Sequence, residues 1–136
     1  MSVEKFNLLS FTGKMKTLHL SWIAFFITFM VWFNMAPLKG AIVDGVGLTL
    51  SEWKTLLIIN VALTIPARVI IGALTDKFGP RIVYSALMAI CSIPCFMFAL
   101  ADSFTQLLIA RFALGCIGAG FVVGIRMVSE WFPPKE

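Results

Sequence analysis

Arg68 is the residue whose chemistry stands out. It sits in the apolar run from Thr55 to Leu74, which is long enough to cross a bilayer and contains no acidic residue. A bare arginine at the centre of a membrane helix costs about 2.5–3.5 kcal/mol on insertion scales. A chain keeps such a charge where it faces a protein-lined cavity with an anionic occupant. Guanidinium is planar, permanently charged and forked, so it matches a planar oxyanion by paired hydrogen bonds. A helical rise of about 1.5 Å per residue puts Arg68 about 10 Å inside the end of this run. Asn60 and Thr64 precede it at spacings of four, which predicts a polar stripe along one face and two further cavity-lining groups. Pro66 removes one helix bond nearby and is expected to open the backbone locally. The competing reading of Arg68 is a structural arginine satisfied by helix carbonyls.

Two more arginines lie in the apolar stretch from Phe104 to Val128. Arg126 stands one turn before Glu130 and can pair with it or reach outward to water. Arg111 admits a substrate-coupling role or a structural one. Glu130 is the only acid near these three cations, a balance that favours negative cargo. A denser charge group follows Arg68. Gly72, Asp76, Lys77, Gly79 and Arg81 fit the pattern G-x-x-x-D-[RK]-x-G-x-[RK]. Gly72 lets another helix approach, and Gly79 with Pro80 makes a tight turn. The three charges can latch one helix bundle to another and release it.

These groups must be held by helices. Hydrophobic residues make up 60% of the 136 and charged residues only 13%, which puts the chain in the membrane class. Four stretches have spanning length, about 18–35, 55–74, 82–101 and 104–128. Backbone groups in lipid must pair within the segment, so the expected fold is all-α, an integral membrane bundle of four transmembrane helices. Residues 1–17 form a basic lead and residues 18–136 a partial N-terminal transmembrane bundle. The first span is too long for a cleavable leader. Lys5, Lys14, Lys16, Lys77, Arg81 and Lys135 fall on one side, and only Lys39 and Lys54 on the other. By the positive-inside rule both termini are cytoplasmic, in a multi-pass protein of the plasma (inner) membrane.

Other features have plainer readings. Trp22 and Trp53 are placed to anchor at the interface. Trp32, Phe33 and Asn34 end the first span and either pack there or line a cavity mouth. The stretch from Ala36 to Lys54 reads as a long loop, with Thr49 or Ser51 capping the next helix beside Glu52. Gly115, Gly118, Gly120 and Gly124 make a packing face on the fourth span. Cys91, Cys95 and Cys116 are packing residues, and the lone His19 supports no metal site. No phosphate loop or triad is present, so neither an enzyme nor a cofactor is expected. No basic run interleaved with aromatics argues for nucleic acid. The expected partners are the lipid bilayer and a small anion.

The loop motif from Gly72 to Arg81 resembles that of the major facilitator superfamily. Arg111 followed by Gly115, Gly118 and Gly120 is similar to that superfamily's fourth-helix motif. The stretch from Ile65 to Asp76, with an arginine eight residues before the aspartate, resembles the nitrate/nitrite porter branch. So do Phe29-Met-Val-Trp32-Phe33 and Val128-Ser-Glu-Trp131-Phe132-Pro133. Within that branch the similarity is greatest to cyanobacterial nitrate permeases.

The resemblance implies a transporter of nitrate or nitrite working by alternating access, with Arg68 contacting the anion. It also implies a second arginine and a glycine-rich nitrate signature on helices beyond Glu136. The chain is therefore expected to be an N-terminal fragment that does not transport alone. The counterpart of Arg111 is linked in that family to coupling or bundle contacts. Proton symport and anion exchange both stay open, as does nitrate against nitrite. So do a drug or sugar carrier of the same superfamily and a non-transporting four-helix assembly protein.

Overall fold

The computed structural model describes residues 9–132. Lys5 and Lys135, and the Pro133-Pro134 pair, lie outside the described residues. The element order is α1 Gly13–Phe33, α2 Lys39–Val46, α3 Leu50–Phe78, α4 Pro80–Ala99, α5 Phe104–Leu114, a 3₁₀ segment Gly115–Ala119 and α6 Gly120–Trp131. No strand occurs among the described residues. Four helical segments are long and apolar enough to cross a membrane: α1, α3, α4 and the continuous stack Phe104–Trp131. The chain is an all-helical, multi-pass membrane protein.

Local chemistry explains the helix ends. The Thr49 side chain accepts from the Glu52 N–H, and Glu52 reaches back to the Thr49 N–H, a complete capping box at the start of α3. Gly79 adopts φ 83°, a conformation glycine takes without strain, and Pro80 then opens α4 at its first position. The α3–α4 turn is therefore as tight as Gly79 and Pro80 imply.

Several expectations are corrected. The stretch 36–54 is not a plain loop, because α2 lies within it. Ile42, Val43 and Val46 turn α2 onto the core, and Gly47 ends it in the left-handed conformation. The second span is longer than 55–74: α3 has 29 residues, about 43 Å, against a hydrocarbon core of about 30 Å. The helix also runs unbroken through Pro66. Trp53 is buried in the core with Met35, Leu56 and Phe98, so it does not anchor at a surface. Trp22 is exposed.

The fourth span sits at the centre and touches α1, α3 and α4. Its glycines make this possible. A Cβ on Gly115 would lie 2.5 Å from the Asn60 carbonyl oxygen, and one on Gly118 would lie 2.7 Å from Thr64 Cγ2. The backbone tightens into 3₁₀ geometry over these same residues. Gly120 meets the Tyr84 ring on α4 at 3.2 Å. Gly124 has more room, 3.7 Å from Phe25 Cδ2. Gly72 is likewise not a close-approach position, since Val122 Cγ1 is 3.8 Å from its virtual Cβ. The cysteines are free thiols, Cys91 and Cys116 in one apolar cluster and Cys95 against the other.

These distances predict opposite outcomes for two glycine-to-alanine changes. Gly115→Ala forces α3 and the fourth span apart and should destabilise the chain by about 1–3 kcal/mol, the usual cost of overpacking. Gly124→Ala should leave stability unchanged or raised. Unfolding of both variants in micelles, followed by circular dichroism, checks the contrast.

Candidate functional site

Arg68 projects from α3 on the side where α1 and α6 meet. Its side chain is exposed, and its Cζ lies 5.9 Å from the centroid of the Phe121 ring on α6. Among the described residues no carboxylate pairs with it. Arg68 and Phe121 each stand ten residues before the end of their helix, Phe78 and Trp131, which is about 15 Å. That is further from the helix end than the about 10 Å expected from the apolar run, because α3 continues past Leu74 to Phe78. Phe121 faces Phe25 on α1 at 5.8 Å between centroids. From Phe25 an aromatic ladder climbs α1 through Phe29, Trp32 and Phe33. Below Phe25 and Phe121 an apolar groove of about 440 Å³ runs between α1 and α6, past Trp22, Gly124 and Ile125. Arg68 is the cation beside the deep end of that groove.

Asn60 and Thr64 do not share the face of Arg68. Both are buried against the fourth span. The Thr64 hydroxyl lies 2.9 Å from the Asn60 carbonyl and 2.8 Å from that of Gly115, either of which accepts its proton. Helical geometry accounts for the divergence. Each residue turns the helix by about 100°, so a spacing of four drifts by about 40° and a spacing of eight by about 80°. The stripe that begins in a helix contact therefore ends, at Arg68, on the open side.

Arg111 is buried and performs a different task. Its Nη1 donates to Asn34 Oδ1 at 2.9 Å and its Nη2 to the Trp32 carbonyl at 3.2 Å. The Phe98 ring on α4 lies 5.6 Å from its Cζ. Trp32 O belongs to the last turn of α1, where carbonyls lack helical partners and a cation is favoured. Arg111 thus fastens the end of α1 to the fourth span. Asn34 is its ligand, the Trp32 ring packs over Gly118, and Phe33 is exposed. Gly115, one turn after Arg111, is the contact glycine described above.

The loop motif is also tied within these four helices. Asp76 Oδ1 is 3.7 Å from Arg126 Nη2 on α6, and Arg126 Nε is 3.3 Å from Glu130 Oε1. Lys77 lies over the Phe78 ring, and Arg81 is exposed beyond the Gly79 turn. Spacing along α6 indicates the Glu130 pair. The Asp76 pair joins two helices, so no local spacing reports it. Phe121 was equally hidden, because nothing in its own stretch distinguishes it from the other apolar side chains. Among the described residues no group of three or more His, Cys, Asp or Glu could hold a metal ion.

The sequence pattern of the Major Facilitator Superfamily matches residues 21–136. The chain belongs to the major facilitator superfamily. Its members include relatives in two cyanobacteria. The nitrate/nitrite transporter NrtP of Picosynechococcus is 53% identical over 127 residues, covering 93% of this chain and 24% of the relative. The NrtP of Nostoc punctiforme is 54% identical over 130 residues, covering 96% of this chain and 26% of the relative. A probable nitrate/nitrite antiporter, NarK1 of Thermus thermophilus, is 33% identical over 126 residues, covering 90% of this chain and 28% of the relative. The chain spans about a quarter of the length of these superfamily members. No solved structure matches it.

The two charge clusters should respond differently to substitution. Arg111→Met leaves the half-buried Asn34 and Trp32 oxygens without their donors and should destabilise the chain by about 1–3 kcal/mol. Asp76→Asn breaks an exposed pair and should change chain stability by no more than about 1 kcal/mol. Thermal unfolding of the two variants in nanodiscs measures the difference.

Proposed function

We propose that these four helices form one wall of a carrier that moves nitrate or nitrite across the membrane by alternating access. The observation that carries this reading is Arg68, an exposed guanidinium with no carboxylate partner among the described residues, deep in an apolar helix and beside an aromatic ring. The relatives named as nitrate/nitrite transporters support the choice of anion. The chain takes the role of residues 18–136 of the N-terminal bundle, with residues 1–17 as a cytoplasmic lead.

The chemistry follows from shape and charge. Two N–H groups of the Arg68 fork meet two oxygens of a planar oxyanion, and each such bond is charge-assisted. The Phe121 ring lies beside the guanidinium at 5.9 Å and gives the fork an apolar neighbour while its N–H groups stay open to an anion. A site near mid-bilayer suits alternating access, because rocking of two bundles about it opens one side and then the other. No bond of the cargo is made or broken, so the carrier is not an enzyme. Lys14, Lys16, Lys77 and Arg81 on the motif side, against Lys39 and Lys54, orient that side to the cytoplasm of the plasma (inner) membrane. Asp76, with Lys77 and Arg81, would serve as the latch between bundles while Arg126 holds it at rest.

A chimera tests the reading. Residues 9–132 replace their counterparts in the Nostoc punctiforme relative, and nitrate uptake is measured in a strain lacking its own carriers. The parent chimera should transport. Arg68→Lys keeps the charge but loses the fork and should lower uptake by tenfold to a hundredfold, equivalent to about 1.5–3 kcal/mol. Uptake kinetics equal to those of the parent would refute Arg68 as the anion site.

A further inference from the structure

His19 is the single histidine of the chain and has no part in the site above. It lies two turns into α1, at the end where the Gly79 turn and the end of α6 also lie. Its Nδ1 accepts a hydrogen bond from Trp22 Nε1 at 3.1 Å. An accepting Nδ1 carries no proton, so this bond requires the neutral ring with its proton on Nε2, which is buried with no partner among the described residues. The Phe11 ring stacks on the imidazole at 4.7 Å and an interplanar angle of 12°. Trp22 in turn is a wall of the α1–α6 groove that leads to Phe121 and Arg68. The imidazole therefore holds the largest side chain at the groove by one bond that exists in only one protonation state.

We propose that His19 and Trp22 form a proton-operated catch on the groove below Arg68. Neutral His19 pins the indole. Protonation places a hydrogen on Nδ1, where it opposes the indole N–H, and two donors cannot bond to each other. The imidazolium keeps its place because the Phe11 face attracts a cation. Only Trp22 is released.

The charged groups on the surrounding elements are few. Lys14 and Lys16 are on α1 itself. Arg126 and Glu130 are on α6, where they pair with each other at 3.3 Å. Residues 9–12 carry no charge. In the orientation proposed above, the catch senses the cytoplasm and sets access to the inner half of the anion path. That functional consequence rests on the reading of Arg68. The catch itself is tested without transport.

The chain is placed in nanodiscs with ¹⁵N-labelled tryptophan, and the Trp22 indole resonance is assigned by its loss in Trp22→Phe. Across a pH series this resonance should shift while those of Trp32, Trp53 and Trp131 stay fixed. In His19→Gln the Trp22 shift should vanish. A Trp22 resonance that does not move, or that moves equally in His19→Gln, overturns the catch. Access to the groove is read separately from maleimide labelling of Ser129→Cys, with Cys91, Cys95 and Cys116 changed to alanine. The ratio of labelling rates with and without His19→Gln should change across the same pH range. An unchanged ratio beside a titrating Trp22 overturns the link between catch and groove. Neither result bears on nitrate uptake by the Arg68→Lys chimera, so failure of the catch and failure of the anion site remain distinguishable.

Discussion

A permanent cation with no carboxylate partner among the described residues, held ten residues inside the end of an apolar helix, is the constraint around which the other features arrange themselves. Arginine cannot shed its proton to become neutral in lipid as a lysine can, nor lose its charge by gaining one as a carboxylate can. The guanidinium must be met by dipoles, by an anion or by water. Arg111 shows the first solution within the same four helices. It is buried, and its Nη donors reach an amide and a carbonyl at the end of α1. Among the described residues Arg68 has no such donor–acceptor contact, only the Phe121 ring at 5.9 Å. Two arginines in one bundle thus differ in kind. One spends its hydrogen bonds on holding helices together, and the other keeps them available.

Availability depends on the packing of the fourth span. Gly115 and Gly118 bring that span against Asn60 and Thr64, closer than any side chain would allow. This contact fixes the rotation of α3 relative to α6. Arg68, one turn beyond Thr64, is then turned off the contact and onto the side of Phe121. The 3₁₀ segment lies between Arg111 and Phe121 and sets the angular offset between the buried end of the span and its open one. A bulkier residue at Gly115 would therefore disturb Arg68 without touching it.

Much of this was legible in the residues. Apolar runs of spanning length give four helices because lipid forbids unpaired backbone. The Thr49 and Glu52 pair and the Gly79 turn announce the ends of α3 in their local chemistry. The cation in the second span was equally visible. What stayed hidden depends on tertiary contact. Trp53 reads as an interfacial anchor until Met35, Leu56 and Phe98 close around it. Asn60 and Thr64 read as companions of Arg68 because a four-residue spacing looks like one face, and its drift of about 40° per step matters only when a neighbour occupies the intermediate angle. Phe121 and the Asp76–Arg126 pair join separate helices, so no periodicity within either helix records them.

The account is tested most directly by a structure of the chimeric carrier with nitrate bound. It predicts nitrate oxygens at hydrogen-bonding distance, about 2.7–3.2 Å, from the guanidinium nitrogens of Arg68, with Phe121 beside them. An Arg68 side chain turned to lipid, or bonded to a carboxylate from another helix while nitrate sits elsewhere, would contradict it.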